Sequence, residues 1–434
     1  MIPVRWYEIE ALDLGKLERP DDSEGGGATI VGIKADSRVV GPGDLFVALN
    51  TGVDYLAAAA ARGAATLVPD DQEAALAALA SLVRARSTAR VVAVVGSTGK
   101  TSTKDILGAL CGAQTATIWA DASQNNEIGL PLTVCRLEPE TNVLVTEMGM
   151  RGLGQITALC DIARPDLVVV TSIGPEHLEL VGTVERVAEA NAEAIAALPP
   201  GGIAVVPVDS PELETHLGRT DIEIRRFDRT RVDRSGNDWR FVVGGSEVRL
   251  RLPFTARHMA ENTLAALVVY DALGLRLDQA QEGADAIVLS RWRGEELPLV
   301  GGGLVINDAY NANPTSMRAA LLDLTDRART RRRVAILGEM AELGESSDRY
   351  HEDVGRLVDE LEIEIVLAVG ERAKAYLADA GGAGRVWVPD VTSLAGALDV
   401  LASGDAILVK ASRSVGLEGI PASIEKRSRA WSEF

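Results

Sequence analysis

The chain has 434 residues, of which 47% are apolar, 25% charged and 4% aromatic. This is enough apolar chain for about three domains at ~100–200 residues each, with cores built from Ala, Val, Leu and Ile. A net charge of −19 disfavours non-specific nucleic-acid binding, which needs a basic surface, so no nucleic-acid partner is expected, while a local basic pocket for an anionic substrate stays open.

Cys111, Cys135 and Cys160 show no CxxC spacing and read as buried free thiols of a reducing compartment. The N-terminus, Met1-Ile2-Pro3-Val4-Arg5, has no apolar signal core. The longest apolar runs stop well short of the ~20 residues of a membrane span. A cytoplasmic monomer with no membrane span is expected.

Residues 1–86 read as a first unit. Ala28–Ile33 suggests a strand, and Asp36-Ser37-Arg38 and the turn Pro42-Gly43-Asp44 follow. Leu45–Leu49 is a second strand, Tyr55–Arg62 a helix that Gly63 can cap, Ala64–Val68 a strand, and Asp71–Arg86 a helix. Alanine-rich helices beside strands are scaffold.

Residues 87–290 read as a second unit, opened by Arg90–Asp105. Val91–Val95 has the five small or β-branched residues of a buried parallel strand. Gly96-Ser97-Thr98-Gly99-Lys100-Thr101-Ser102 follows, and a helix runs from Lys100 to Leu110. A strand leading through a glycine turn into a helix N-terminus is a phosphate cradle, with backbone N–H groups, helix dipole and a lysine facing the anion. The full nucleotide-loop pattern has glycine where Val94 stands, so this is a shortened G-x-x-G-K-T. An ordinary turn with a solvated lysine is the alternative, and the preceding strand and the Lys-Thr pair favour phosphate.

Asn142–Glu147, Asp166–Ile173 and Gly202–Val208 read as strands, and Gly154–Ala163 and Thr183–Leu198 as helices. This alternation predicts a doubly wound parallel sheet, whose ligands lie beyond the C-terminal strand ends. Lys100, Glu147 and His177 fall at such ends. Ile222–Leu252 suggests an antiparallel insertion, and His258–Leu273 a helix that contains Asn262. Residues 291–434 form a third α/β unit with strands at Leu304–Asn307, Arg333–Leu337, Ile365–Val369 and Ala406–Lys410. Gly301-Gly302-Gly303 reads as a hairpin turn.

A nucleoside triphosphate brings Mg²⁺, which takes hard oxygen ligands. Thr101 offers a hydroxyl and Glu147 a carboxylate. Alone, Glu147 would be a turn carboxylate and His177, between Glu176 and Glu179, a hydrogen-bonded loop histidine. Asn125-Asn126 and the stretch Asn307–Pro314 are loops dense in amides, either structural turns or readers of a base or substrate amide. Lys410-Ala411-Ser412-Arg413 ends the last strand with two cations suited to carboxylate or phosphate. The residues thus reach an ATP-using, Mg²⁺-dependent α/β enzyme without naming its substrate.

Taken in order, these motifs resemble the Mur ligase family along nearly the whole chain. Asp36-Ser37-Arg38 with Pro42-Gly43-Asp44-Leu45-Phe46 is similar to the UDP-substrate segment. Gly96–Thr103 is similar to the ATP loop, and Asn125–Pro131 and Glu147-Met148-Gly149 to the central domain. Asn307–Met317 resembles an N-D-x-Y-N-A-N-P-x-S-M stretch. Leu337-Gly338-Glu339-Met340, Glu342-Leu343-Gly344 and His351, with no Asp-Asn-Pro-Arg signature, resemble the members that add D-alanyl-D-alanine to UDP-N-acetylmuramoyl-tripeptide.

The resemblance implies a small UDP-substrate-binding domain, a central P-loop-type ATP-binding domain and a C-terminal Rossmann-like domain. It implies an acyl-phosphate mechanism in peptidoglycan precursor synthesis, with ATP and Mg²⁺. Gly96, Ser97, Thr98, Gly99, Lys100, Thr101, Ser102, Asn262, Arg293 and Asn311 would contact the nucleotide. Thr101 and Glu147 would hold one Mg²⁺, with His177 near a second. Asp36, Ser37, Arg38, Asn125, Asn126, Lys410, Ser412 and Arg413 would serve the other substrates.

Three positions depart from the family. Asn191 stands where many members carry a carbamylated lysine; either its amide oxygen is expected to reach a metal weakly or through water, or the enzyme works with a weaker second metal. Asp54-Tyr55-Leu56 replaces Asp-Gly-His, and Ala256 replaces a glycine. A folate polyglutamate-type ligase and a catalytically degenerate homologue are the alternatives. Asp36–Ala48 argues against the first, and intact Lys100, Thr101, Glu147 and His177 against the second.

Overall fold

The computed structural model describes residues 1–19, 29–377 and 384–430. Near the N-terminus, Gly32–Lys34, Asp44–Val47 and Ala65–Pro69 pair in parallel, and Gly15–Glu18 joins Ala65–Pro69 antiparallel. The strand expected over 28–33 is two strands. Ala28 lies outside the described residues, Thr29–Ile30 pairs with Val4–Arg5, and Gly32–Lys34 joins the larger sheet. Between them the Val31 N–H bonds to the Gly43 carbonyl at 2.9 Å. The expected helix after Leu49 starts as a 3-10 turn, Asn50–Tyr55, and is α-helical over Leu56–Ala60. Gly63 follows at φ +81°, the left-handed stop that glycine allows.

The Val91–Val95 run forms the strand Arg90–Val95 inside a six-stranded, all-parallel sheet. Its order is Glu223–Phe227, Ile203–Pro207, Leu167–Val170, Arg90–Val95, Val143–Glu147, Thr117–Trp119. Period-two side chains divide this strand between two cores. Val91, Ala93 and Val95 pack with Leu79, Ile156 and Val187, and Val92 and Val94 with Ile106, Leu110 and Leu264. Both faces are therefore covered, which is why the run is apolar without alternation. Each fully buried valine contributes ~1.5–3 kcal/mol.

The antiparallel insertion is shorter than its expected span. Glu223–Phe227 is a parallel edge strand, and only Asp233–Ser235, Asp238–Val243 and Ser246–Arg251 form the antiparallel meander. An edge strand with half its side chains in water alternates just as a hairpin strand does.

The third sheet runs Glu295–Pro298, Leu304–Asn307, Ala406–Lys410, Arg333–Gly338, Ile365–Val369, Arg385–Val388. Its first pair is antiparallel, with Gly301–Gly303 in the hairpin turn, and the rest are parallel. Among the described residues no helix is long and apolar enough to cross a membrane. The three cysteines are buried and unpaired, and burial pushes each thiol up to about 12, leaving it protonated and inert.

Candidate active site

Gly96 and Gly99 shape the turn after Arg90–Val95, at φ +126° and +81°. A Cβ on Gly96 would lie 2.3 Å from Thr171 Oγ1, and one on Gly99 2.4 Å from Asn262 Oδ1. The Ser97 N–H donates to Ser172 O at 2.8 Å and the Thr98 N–H to Ser172 Oγ at 2.9 Å. The amides at the start of the helix Lys100–Gly112 have no intrahelical acceptor and remain for an anion. The Lys100 Nζ donates to the Gly96 carbonyl and lies 3.4 Å from Glu176 Oε2.

Beyond this loop opens a cavity of about 850 Å³, walled by the strand ends of both six-stranded sheets. Ser97–Ser102, Asn125, Asn126, Glu147, His177, Asn262, Arg293, Asn311 and Lys410 all line it. Glu147, at the end of its strand and 1% exposed, accepts from Asn125 Nδ2 at 2.8 Å on one oxygen. Its other oxygen is buried with no hydrogen-bond partner. An orphaned carboxylate oxygen costs free energy unless something arrives to meet it. Thr101 Oγ1 lies 3.1 Å from Ser123 Oγ, which also accepts from Arg293 Nη2 at 3.1 Å. The Arg293 guanidinium stacks on Tyr310, 4.0 Å from the ring centroid, and so ties the second unit to the third.

His177 Nδ1 contacts the Glu342 carboxylate, and Nε2 stays 3.9 Å from Glu176. Glu342 reaches it from the turn after Arg333–Gly338. That turn is pinned by buried His351, whose Nε2 accepts from the Met340 N–H at 3.0 Å. Asn262 lies against Gly99 at the phosphate loop.

Other expected residues lie elsewhere. Asp36 and Arg38 form an ion pair at 2.7 Å on the first unit, away from the large cavity, and Arg38 holds the Asp36 carboxyl down at about 2. Ser412 is buried, accepting from the Ala341 N–H at 2.9 Å, and Arg413 stacks over Trp292 at 4.2 Å. Neither lines the cavity. Lys410 does, although its Nζ is bonded to Asp308 Oδ2 at 2.6 Å and Asn311 O at 2.8 Å.

Asn191, expected to reach a metal, does not line the cavity. It is 1% exposed, and its amide oxygen accepts from the Gly96 N–H at 2.6 Å. Ala256 has φ −64°, which any residue adopts, so the missing glycine costs no strain.

Arg151, Arg229, Arg257, His258 and Arg318 line the cavity without having been singled out as site residues. Arg257 and His258 are neighbours at the start of the helix Arg257–Ala272, and the other three are single cations on separate segments that no local pattern marks. Burial drives the His258 imidazole down to about 4, against the opposing pull of Asp308. The site can therefore take a polyanion on the loop and several arginines, with one carboxylate oxygen free for a cation.

Models of two Mur ligase domains match the chain, the middle domain over residues 94–270 and the glutamate ligase domain over 292–413. The UDP-N-acetylmuramoyl-tripeptide–D-alanyl-D-alanine ligase of Escherichia coli K12 is 31% identical over 98% of this chain and 99% of its own. The crystal structure of MurF from Acinetobacter baumannii superposes with a TM-score of 0.84 at 26% identity, covering 98% of this chain and 99% of that one. MurF from Thermotoga maritima, solved with ADP, does so at 0.77 and 27%, covering 92% and 98%. The chain belongs to the Mur ligase family, alongside its UDP-N-acetylmuramoyl-tripeptide–D-alanyl-D-alanine ligases.

Proposed function

We propose that the protein is an ATP-dependent amide ligase that joins D-alanyl-D-alanine to UDP-N-acetylmuramoyl-tripeptide in cytoplasmic peptidoglycan precursor synthesis, acting as a monomer. The observation that carries this reading is the likeness, along almost the full length of both chains, to the E. coli ligase named for that reaction. We also place domain boundaries near residues 86 and 290, which keep the strands of each large sheet together.

Phosphoryl transfer asks for positioning and charge neutralisation more than for covalent help. ATP is assigned to the loop, with its phosphates on the helix N-terminus and Lys100. The tripeptide carboxylate attacks the γ-phosphate to give an acyl phosphate and ADP. The dipeptide amine then attacks the activated carbonyl, and phosphate leaves. Arg293 reaches the phosphate region from the start of the third unit, and Asn262 and Asn311 line the nucleotide side. Asp36, Ser37 and Arg38 are assigned to the UDP end. Asn125 and Asn126 are assigned to the substrates, as are Lys410, Ser412 and Arg413 on the dipeptide side.

Among the described residues no three His, Cys, Asp or Glu side chains form a ready metal centre. Mg²⁺ takes much of its shell from phosphates and water. The buried free oxygen of Glu147 and the Thr101 hydroxyl fit it. When bound, the ion supplies neutralisation of phosphate charge. Glu342 at His177 Nδ1 orients the ring so that Nε2 is left for the cavity, the position assigned beside a second ion.

Purified protein with ATP and Mg²⁺ should release phosphate only when UDP-muramoyl-tripeptide and D-alanyl-D-alanine are both present. ADP binding without turnover on any amine would contradict the reading.

A further inference from the structure

Asn191 sits on the helix Val184–Ala196, far from the loop in sequence and directly beneath it in space. Both ends of its amide are committed. Oδ1 accepts from the Gly96 N–H at 2.6 Å, and Nδ2 donates to the Val187 carbonyl at 2.9 Å. The carbonyl of the same Gly96 accepts from Lys100 Nζ. One line of contacts therefore runs from the helix through Asn191 and Gly96 to the lysine. Because the N–H groups of Gly96, Ser97 and Thr98 all have protein acceptors, the anion is left to Lys100 and the amides that follow Thr98.

We propose that Asn191 is a positioning residue for phosphoryl transfer. By taking the Gly96 N–H it holds the peptide that enters Gly96, while Ser172 O takes the Ser97 N–H of the next peptide, whose carbonyl steers Lys100; Asn191 does its part without placing charge under the phosphates. The proposal rests on the assignment of the loop to ATP. An amide is the side chain of this size that gives an acceptor to Gly96 and a donor to Val187 while staying neutral. A carboxylate would keep the Gly96 bond, face the Val187 carbonyl with a second acceptor and add a buried negative charge. Alanine would leave the Gly96 N–H buried without a partner.

The test compares wild type, Asn191→Ala and Asn191→Asp for ADP affinity by calorimetry and for steady-state KM and kcat with ATP. Urea midpoints identify any variant that fails to fold. Asn191→Ala is expected to raise the KM for ATP by about tenfold and leave the KM for D-alanyl-D-alanine within about twofold. Asn191→Asp is expected to be worse at pH 8 and to recover towards wild type as the pH falls and the carboxyl takes a proton. A merely structural asparagine would not raise the KM for ATP while sparing the KM for D-alanyl-D-alanine. Wild-type ADP affinity and ATP KM in both folded variants would overturn the proposal and leave the ATP assignment standing. Failure of wild type itself to bind ADP would overturn both.

Discussion

Asn125 donates to one oxygen of Glu147 at 2.8 Å and leaves the other oxygen buried and unpartnered. This half-satisfied carboxylate at a strand end is the strongest indication that a cation belongs in the cavity. Glu147→Gln keeps the size and the Asn125 contact but removes the charge. It should lower kcat on the order of 10²–10³-fold and raise the Mg²⁺ needed for half-maximal rate. Steady-state turnover across a Mg²⁺ titration checks this, and a wild-type curve would refute it.

Gly99 is needed for two reasons, its φ of +81° and the 2.4 Å that a Cβ would leave to Asn262 Oδ1. Gly99→Ala should weaken ADP binding by more than about tenfold, from a left-handed penalty of ~1–2 kcal/mol plus the clash, while the circular dichroism spectrum stays unchanged. Measured against Asn262→Ala alone, Gly99→Ala meets the backbone strain without the clash, so its further loss should be smaller than in wild type but not zero. No further loss in that background would show that strain plays no part.

The phosphate loop was legible because strand, glycines and Lys-Thr are contiguous and each has a local physical reason. The parallel sheets were legible from Val91–Val95 and its counterparts, which are buried on both faces. The strand Thr117–Trp119 was missed because three half-buried residues carry no period. Glu223–Phe227 was placed in the wrong layer because an edge strand reads like a hairpin. Arg151, Arg229 and Arg318 reach the cavity from separate elements, so only the fold brings them together. The bond between Asn191 and Gly96 could not be read from the sequence for the same reason, since the two lie on different elements.

Arg293 joins Ser123 of the second unit, 3.1 Å away, to Tyr310 of the third, 4.0 Å from its ring. Arg293→Ala should raise the KM for ATP by about tenfold. Arg413→Ala should leave ADP affinity unchanged, because Arg413 stacks on Trp292 outside the cavity. Calorimetry on both variants separates the two roles, and equal losses would contradict the assignment.

Acid should destabilise the fold through His258. Burial lowers its imidazole to about 4 from an ordinary 6.5. The unfolded chain therefore binds the proton more readily than the native protein between those values. The stabilising difference is complete above pH 6.5 and is lost as the pH falls towards 4, up to about 3 kcal/mol. His351, also lowered by burial, adds in the same direction. Urea midpoints from pH 7.5 to 4.5 should fall more steeply for wild type than for His258→Gln, and parallel curves would contradict the effect.

The most direct measurement follows oxygen through the reaction. UDP-muramoyl-tripeptide labelled with ¹⁸O in the reacting carboxylate is incubated with ATP, Mg²⁺ and D-alanyl-D-alanine, and the phosphate and peptide products are weighed by mass spectrometry. An acyl-phosphate ligase delivers one ¹⁸O into each inorganic phosphate, with one ADP and one extended peptide formed alongside. Unlabelled phosphate, or AMP and pyrophosphate in place of ADP, would contradict the account.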